Sequence, residues 1–272
     1  RQRQMCIRDR VQAFQTADRE DLRNESIFTI DGIDAKDLDD AVSIKRDGEN
    51  YILGVHIADV SYYVRPDSAL DGEALRRGTS VYFPGSVIPM LPSRLSNGIC
   101  SLNPNVDRLA MSCEMHITSQ GEVSSYRLFK SVIRSRERLV YEDVNKLLDG
   151  DEELKIRYSH IYEELYSMDK LAALLRKRRM NSGSIDFNTR EPEFTLDQDG
   201  RAVDVRVHER GRSNMMIEEF MLLCNQTVAR HMRLNKLPAV YRIHEKPEKS
   251  KVETFVAVIR GYGYNIKAVS YT

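Results

Sequence analysis

The chain is organised around the stretch Thr29-Ile30-Asp31-Gly32-Ile33-Asp34-Ala35-Lys36-Asp37-Leu38-Asp39-Asp40, which holds five carboxylates and one lysine from position 31 onward. An apolar run, Ile27, Phe28 and Ile30, comes before the acids, and the strand-like segment 41–44 comes after them. Short apolar runs of this kind are typical of β-strands. We therefore expect an acidic loop that joins two strands close to the core.

Carboxylates that lie this close together repel one another, so either their pKa values rise or a cation offsets the charge. A hard divalent cation with oxygen ligands is the natural solution, and magnesium usually takes one or two protein carboxylates and keeps its other positions for water and phosphate. Four acids can serve two ions about 3.5–4 Å apart, which is an arrangement suited to phosphodiester hydrolysis.

Three other interpretations compete with a catalytic metal site. An acidic loop of this kind is about as often a solvated surface loop as it is a metal site. A calcium-stabilised structural domain also stays open, although a helix–loop–helix calcium site would need a glycine at the sixth loop position and a glutamate at the twelfth, and both are missing. Aspartic-protease chemistry needs only two carboxylates and has different flanking segments. From chemistry alone, the loop is a metal-binding acidic cluster.

Composition sets the class of protein. The chain has 272 residues, of which 41% are hydrophobic and 30% are charged, as is ordinary for a globular protein with a full core. We expect no membrane segment, because no apolar run approaches about 18 residues. The four cysteines are scattered, which suits reduced thiols in the cytoplasm. The net charge is zero, so any nucleic-acid surface must be locally basic.

Turn and helix signals divide the chain into two halves. Asp47-Gly48, Gln120-Gly121 and Asp199-Gly200 each separate two alternating segments, which predicts three antiparallel hairpins. Apolar residues three to four positions apart predict helices over 152–180 and 214–234. Residues 82–104, rich in proline, predict a long irregular loop. The expected fold class is α+β, with a hairpin-rich antiparallel sheet in the N-terminal half packed against long helices of the C-terminal half.

Several segments follow the acidic stretch in a distinctive order. Asp31, Asp37, Asp39 and Asp40 are followed by His56-Ile57-Ala58-Asp59-Val60. The later segments are Tyr82-Phe83-Pro84-Gly85, Pro89-Met90-Leu91-Pro92, Leu95-Ser96, Cys100-Ser101-Leu102-Asn103-Pro104, Asp107-Arg108-Leu109-Ala110, Ser182-Gly183-Ser184-Ile185-Asp186-Phe187, Ile217-Glu218-Glu219-Phe220-Met221-Leu222 and Tyr241-Arg242-Ile243-His244-Glu245. In their residues and their order, these segments resemble the RNB family of exoribonucleases.

The resemblance implies a partial RNB catalytic domain over 25–267. We expect 1–24 to be a non-native end and linker and 268–272 to be a second non-native end, because the first ten residues have no helical or strand period and the last four look similar. It implies a hydrolytic, processive 3′-to-5′ exoribonuclease that releases nucleoside 5′-monophosphates from single-stranded RNA by two-metal-ion catalysis. The implied cofactor is Mg²⁺, for which Mn²⁺ can substitute. We expect a monomer. The alternative is a catalytically silent RNA-binding relative of the same family.

Site residues follow from the resemblance position by position. The metal-site and catalytic aspartates fall on Asp31, Asp37, Asp39 and Asp40, with Asp39 the most critical for cleavage. The substrate-binding positions fall on Tyr82 and Phe187, which stack on bases at the 3′ end, and on Glu218. Asp34 is left over and should be solvated. The family's Ser-Pro-Ile-Arg segment does not occur in this sequence, so the chain alone is expected to be weakly active or inactive.

The remaining conspicuous residues have ordinary structural explanations. His56 and His244 are expected to be structural histidines. The run Arg176-Lys177-Arg178-Arg179 should be a solvated helix end, with phosphate contact as the second choice. Arg108 fits a structural ion pair and a phosphate ligand equally well.

Overall fold

The computed structural model describes residues 18–185, 191–208, 210–243 and 245–265. The chain divides into two units, Arg1–Arg230 and His231–Thr272. The strands are β1 (Glu20–Leu22), β2 (Phe28–Asp31), β3 (Asp40–Asp47), β4 (Asn50–Ala58), β5 (Val81–Phe83), β6 (Ser86–Ile88), β7 (Asp107–Ile117), β8 (Val123–Arg134), β9 (Glu137–Val140), β10 (Glu191–Leu196) and β11 (Ala202–His208). The helices are α1 (Val60–Tyr63), α2 (Ala69–Arg77), a π-helix (Arg94–Ile99), α3 (Tyr141–Leu148), α4 (Glu152–Arg157), α5 (Tyr162–Asn181), α6 (Arg212–Leu234) and α7 (Lys249–Gly261).

Seven strands form the main sheet, in the order β1-β8-β7-β4-β3-β2-β9. The three predicted hairpins are confirmed, because β3 pairs with β4, β7 with β8 and β10 with β11, all antiparallel. Two features of the predicted sheet are wrong. β1 pairs with β8 and β2 with β9 in parallel, and the β10–β11 hairpin forms a sheet of its own. Turn signals reveal only strands that are joined by short turns, so they could not reveal pairs between distant segments.

The main sheet buries both of its faces. Val42, Ile44 and Leu53 belong to a core cluster that also contains Leu165 of α5 and Phe220 of α6. This cluster confirms that long helices of the later part of the chain pack on the sheet. The opposite face forms a second cluster with residues from the loops and short helices, which include Ala41, Tyr63, Leu95, Leu102 and Leu109. Neighbouring residues of β3, Ala41 and Val42, therefore point to opposite clusters, as the strand period requires.

Two predicted segments are corrected. The helix predicted over 152–180 is broken into α4 and α5, because Tyr158 and Ile161 turn into the core between them. The Asp151 side chain accepts the Leu154 N–H at 3.0 Å and caps the first piece, α4.

The stretch 82–104 is not wholly irregular, since it holds most of the β5–β6 hairpin and the π-helix. The hairpin turns at Pro84-Gly85, where Gly85 has a φ of 72° that disfavours other residues.

The helix predicted over 214–234 is confirmed as α6. In the second unit, α7 buries Val256 while its Phe255 and Val258 are exposed. Among the described residues, no helix combines the length and the apolar character that crossing a membrane requires.

Candidate active site

The acidic loop, residues 31–40, joins β2 to β3 and is held at both ends by buried strands. Asp31 is the last residue of β2, and Asp40 is the first residue of β3. In the sheet, Asp31 pairs with Val140 of β9 and Asp40 pairs with Ile57 of β4. Because the backbone on either side is fixed by ladder hydrogen bonds, the ends of the loop have little freedom to move. The prediction of an acidic loop between two strands is confirmed.

The middle of the loop is anchored by Leu38, whose side chain is only 1% exposed. The Leu38 N–H donates to Ser101 Oγ at 3.0 Å. Its carbonyl accepts the N–H of Leu102 at 2.8 Å, and the next carbonyl, that of Asp39, accepts the N–H of Ala58 at 2.8 Å. Asp37 and Asp39 lie on either side of Leu38, so its burial fixes the backbone that carries both carboxylates.

A cation from β9 holds the other part of the loop. Arg138 Nη2 donates to the carbonyls of Ile33 and Ala35 at 2.7 and 2.8 Å. The positive charge of Arg138 also acts against the rise in the pKa of Asp31. Asp34 lies between the two anchored carbonyls and is exposed, which confirms the prediction that it is solvated.

The acids of the loop influence one another, as their spacing predicts. Loss of surrounding water raises the pKa of Asp31, Asp39 and Asp40, and that of Asp40 reaches about 6. Asp31 and Asp40 are half-buried, whereas Asp39 is more exposed and neighbouring charges contribute to its shift. The negative charge of Asp37 further raises the pKa of Asp31 and Asp39, and the charges of Asp31 and Asp39 further raise that of Asp40. Ionisation of Asp31, Asp39 and Asp40 is therefore less favourable in this loop than it is for isolated carboxyl groups.

The four side chains do not converge on a single point. Across the described part of the chain, no three His, Cys, Asp or Glu side chains are arranged to hold a metal ion. The donor set nevertheless fits a hard divalent cation. All four donors are carboxylates on one anchored loop, and the raised pKa values of Asp31, Asp39 and Asp40 show that their charged forms are disfavoured, which a cation would reverse.

Tyr82 of β5 is brought directly to the acidic loop. Its hydroxyl donates to Asp37 Oδ2 at 3.0 Å, and this hydrogen bond raises the pKa of Tyr82. The residue as a whole is 67% exposed. An aromatic ring that is fixed by its hydroxyl and open to solvent offers a face on which a base can stack.

The two other predicted substrate residues are not joined to this loop. Phe187, like His244, lies outside the described residues. Glu218 is on α6, where it forms ion pairs with Arg210 and, at 3.8 Å, with Arg179. Its neighbour Glu219 is 3% exposed and is bound by Arg179 Nη2 at 2.5 Å. The two adjacent acids therefore have different environments, as their positions around the helix predict.

The structural interpretation of His56 is confirmed. His56 is buried, and its ring nitrogens are within hydrogen-bond distance of Ser43 Oγ at 3.1 Å and Ser112 Oγ at 2.7 Å. Burial lowers the pKa of His56 to about 4. This histidine is therefore neutral at pH 7 and links strands of the sheet.

The basic residues also have structural partners. Arg108 donates to the carbonyls of Ser101 and Gly98 at 2.7 and 2.9 Å, so it is structural, although it binds carbonyls and not the acid of an ion pair. Arg179, from the basic run that ends α5, is held by Glu219 and is only 23% exposed, so for this residue the prediction of a solvated helix end is wrong.

Sequence reasoning missed Ser101 and Arg138, which hold the acidic loop through backbone groups. Ser101 stands within a segment that resembles the RNB family, and this was the only signal available for it. Tyr141 was also missed. Burial raises its pKa to about 12, and the charges of Asp31 and Asp40 add to the rise.

Comparisons with known proteins bear on the same region. The family model described as "RNB domain" matches residues 19–270. Ribonuclease R 1 of Lactococcus lactis is 45% identical over 266 residues, which cover 97% of this chain and 33% of the relative. Ribonuclease R of Thermotoga maritima is 45% identical over 264 residues, which cover 96% of this chain and 37% of the relative. The chain thus spans about a third of the length of these curated relatives.

The fold of this chain is also similar to that of a solved structure. Mycoplasma genitalium RNase R in complex with ribose methylated single-stranded RNA superposes with a TM-score of 0.86 at 31% identity. The superposition covers 98% of this chain and 42% of that chain.

Proposed function

The chain belongs to the RNB-domain family, and on that premise we propose that it carries the metal-binding acids of an exoribonuclease. The substrate is single-stranded RNA, which is shortened processively from its 3′ end by hydrolysis. The products are nucleoside 5′-monophosphates. The relatives named ribonuclease R support this reaction class, and the acidic loop is the part of this chain whose chemistry suits it.

One observation carries the proposal: the anchored acidic loop lies beside the exposed ring of Tyr82. The hydrogen bond from Tyr82 to Asp37 links the base-stacking position to the acids. A terminal nucleotide stacked on this ring would therefore have its phosphodiester close to the carboxylates. A solvated surface loop would need neither the buried Leu38 anchor nor an aromatic side chain bound to one of its acids.

Asp31, Asp37, Asp39 and Asp40 would hold two divalent cations, Mg²⁺ or Mn²⁺. When bound, such ions lower the pKa of water to give a nucleophile and stabilise the negative charge on the leaving oxygen. The protein provides a loop whose backbone is already fixed, so that ordering the acids costs little when substrate binds. The charged forms of Asp31, Asp39 and Asp40, disfavoured within the protein alone, would become favourable beside the cations.

The remaining side chains position the RNA. Tyr82 stacks on the terminal nucleotide, and Phe187, which lies outside the described residues, supplies the second stacking ring. Base stacking is worth about 1–3 kcal/mol per base and tolerates any sequence, which suits processive degradation. Glu218 contacts the substrate, and its carboxylate is oriented by ion pairs with Arg179 and Arg210.

Within the family, two segments favour the ribonuclease R branch over ribonuclease II. These are Thr29-Ile30-Asp31-Gly32 and Tyr241-Arg242-Ile243-His244, and the named relatives agree with this choice. We also propose that this chain alone cleaves slowly, so its activity is best measured with the protein in large excess over RNA.

The deciding experiment follows a 5′-labelled single-stranded RNA during incubation with Mg²⁺, Mn²⁺ or EDTA. We expect a ladder that shortens from the 3′ end only with a divalent cation and that disappears in Asp39→Asn. Asp34→Asn is the matched control, because it makes the same chemical change in the same loop at an exposed acid. This control should cleave like the unaltered chain.

Three outcomes would contradict the proposal. Cleavage that survives in Asp39→Asn would exclude the assigned acids. RNA binding without cleavage under any divalent cation would favour the catalytically silent relative. Stabilisation by Ca²⁺, with no response to Mg²⁺ or Mn²⁺, would favour the calcium-stabilised structural domain.

A further inference from the structure

We propose that Ser101 is a positioning residue for the acidic loop, which it holds in its metal-binding form through a single hydroxyl. This inference rests on the proposed function, because it concerns how the same acids are prepared for a cation. Ser101 touches no carboxylate. It acts through the backbone on both sides of Asp37 and immediately before Asp39.

The geometry of the Ser101 hydroxyl is that of a bridge between two backbone groups. Its oxygen accepts the N–H of Leu38 at 3.0 Å and donates its own hydrogen to the carbonyl of Lys36 at 3.0 Å. The two groups bracket Asp37, so their distance apart sets the local path of the chain. Ser101 has 0% exposure, so water cannot easily take the place of the hydroxyl.

Arg108 in turn binds the backbone of Ser101 and of the π-helix that precedes it. Arg108 Nε donates to the carbonyl of Ser101 at 2.7 Å, and its Nη2 donates to the carbonyl of Gly98 at 2.9 Å. The N–H of Leu102 then returns to the carbonyl of Leu38 at 2.8 Å. A cation, a hydroxyl and a backbone amide thus connect the end of the π-helix to the acidic loop.

This arrangement matters for metal binding because the four aspartates repel one another. Without a fixed backbone, the loop would relax by spreading Asp37 and Asp39 apart. Binding of the cation would then include the free-energy cost of bringing the two carboxylates together again. Residues that orient metal ligands in this way affect metal affinity strongly although they do not touch the ion. A purely structural serine would affect only stability.

Ser112 supplies a matched control. It is a serine of β7 that is 2% exposed, and its hydroxyl is within hydrogen-bond distance of His56 and Ser131, not of the acidic loop. Ser101→Ala and Ser112→Ala therefore each remove one buried hydroxyl with two partners. Only the first change reaches the acids.

The experiment titrates MnCl₂ against the melting temperature of the full chain and of both variants. We expect both variants to melt below the unaltered chain without metal. Ser101→Ala should need about tenfold more Mn²⁺ for half of its stabilisation, whereas Ser112→Ala should keep the original midpoint. In single-turnover cleavage of RNA, Ser101→Ala should likewise need more Mn²⁺ than the unaltered chain, and Ser112→Ala should not. The affinity for RNA in EDTA should be equal in the unaltered chain and both variants.

Equal Mn²⁺ midpoints for Ser101→Ala and the unaltered chain would overturn this inference and leave the proposed function standing. If the unaltered chain shows neither Mn²⁺ stabilisation nor cleavage, the proposed function fails and this inference with it. If Ser101→Ala does not fold, Ser101→Cys takes its place. A thiol occupies similar space but is a weak donor and acceptor, so its midpoint should also rise, and an unchanged midpoint would count against the inference.

Discussion

At the residue scale, Tyr82 combines two interactions that can be separated by mutation. Its hydroxyl is bound to Asp37, and its ring is open to solvent. The hydrogen bond orients the ring, but stacking on a base requires only the ring itself. Phenylalanine and alanine at this position therefore test different parts of the proposed role.

The prediction for Tyr82 concerns RNA affinity, measured by fluorescence anisotropy in an Asp39→Asn background that prevents cleavage. Tyr82→Ala should weaken the binding of single-stranded RNA by about 5- to 150-fold, the equivalent of about 1–3 kcal/mol for one stacked base. Tyr82→Phe should bind nearly as the parent does. Tyr166→Ala is the control, because Tyr166 is an aromatic of α5 that is 42% exposed. Unchanged affinity in Tyr82→Ala would remove Tyr82 from the RNA-binding surface.

What could be predicted about single residues depended on whether their role is local. The crowding of Asp31, Asp37, Asp39 and Asp40 is visible in the sequence because they lie within ten positions. The roles of Ser101 and Arg138 are not visible, because each binds backbone groups that lie far away along the chain. Arg138 and Ile33, for example, are 105 residues apart.

At the element scale, the contact between α5 and α6 depends on a buried charge. Arg179 near the end of α5 binds Glu219 of α6, which is 3% exposed, while the adjacent Glu218 is partly open. The two glutamates differ by one position, so they form a natural pair for comparison. We expect Glu219 to contribute to the stability of the fold and Glu218 to contribute to RNA binding.

We expect Glu219→Gln to lower the free energy of unfolding by about 2 kcal/mol, because it leaves Arg179 without its closest charged partner in a half-buried place. Glu218→Gln should change stability by less than about 1 kcal/mol, as is usual for an exposed ion pair, and should instead weaken RNA binding. Urea unfolding with anisotropy on the same samples separates the two effects. Equal destabilisation by both changes would contradict the different roles assigned to the two acids.

Elements were predictable where one local signal sufficed. The Asp47-Gly48 turn identified β3 and β4, and the apolar period identified α6. The parallel pairs β1–β8 and β2–β9 were not predictable, since no turn joins them. The break between α4 and α5 was missed because Tyr158 and Ile161 are apolar at helical spacing, and only the packed core shows that they end one helix and begin another.

At the scale of the whole molecule, two buried groups give the stability opposite dependences on pH. His56 has a folded-state pKa of about 4, below the usual 6.5, so its contribution is fully present above pH 6.5 and is lost as the pH falls through 4. Asp40 has a folded-state pKa of about 6, above the usual 3.8, so it destabilises the fold at neutral pH and this effect is relieved as the pH falls through 6. In metal-free buffer the two trends partly cancel.

Replacing His56 isolates its part of this balance. Between pH 7 and pH 5, the unaltered chain should lose about 2 kcal/mol more unfolding free energy than His56→Gln does. Glutamine is uncharged at both values and can still bond with Ser43 and Ser112. Urea unfolding at the two pH values in EDTA measures the difference. Parallel losses in both proteins would mean that His56 is not kept neutral by the fold.

The parallel pairing of β2 with β9 also has a consequence for the order in which the molecule forms. The β3–β4 hairpin can close as soon as its two strands have left the ribosome, whereas Arg138 follows the loop carbonyl that it holds by 105 residues. At a synthesis rate of about 5–20 residues per second, that delay is roughly 5–20 s. During this interval the acids are present but the strand that anchors them is not, and closing so long a loop is intrinsically slow. A nascent chain would therefore hold its acidic loop in the final form only after the strand that carries Arg138 has been synthesised.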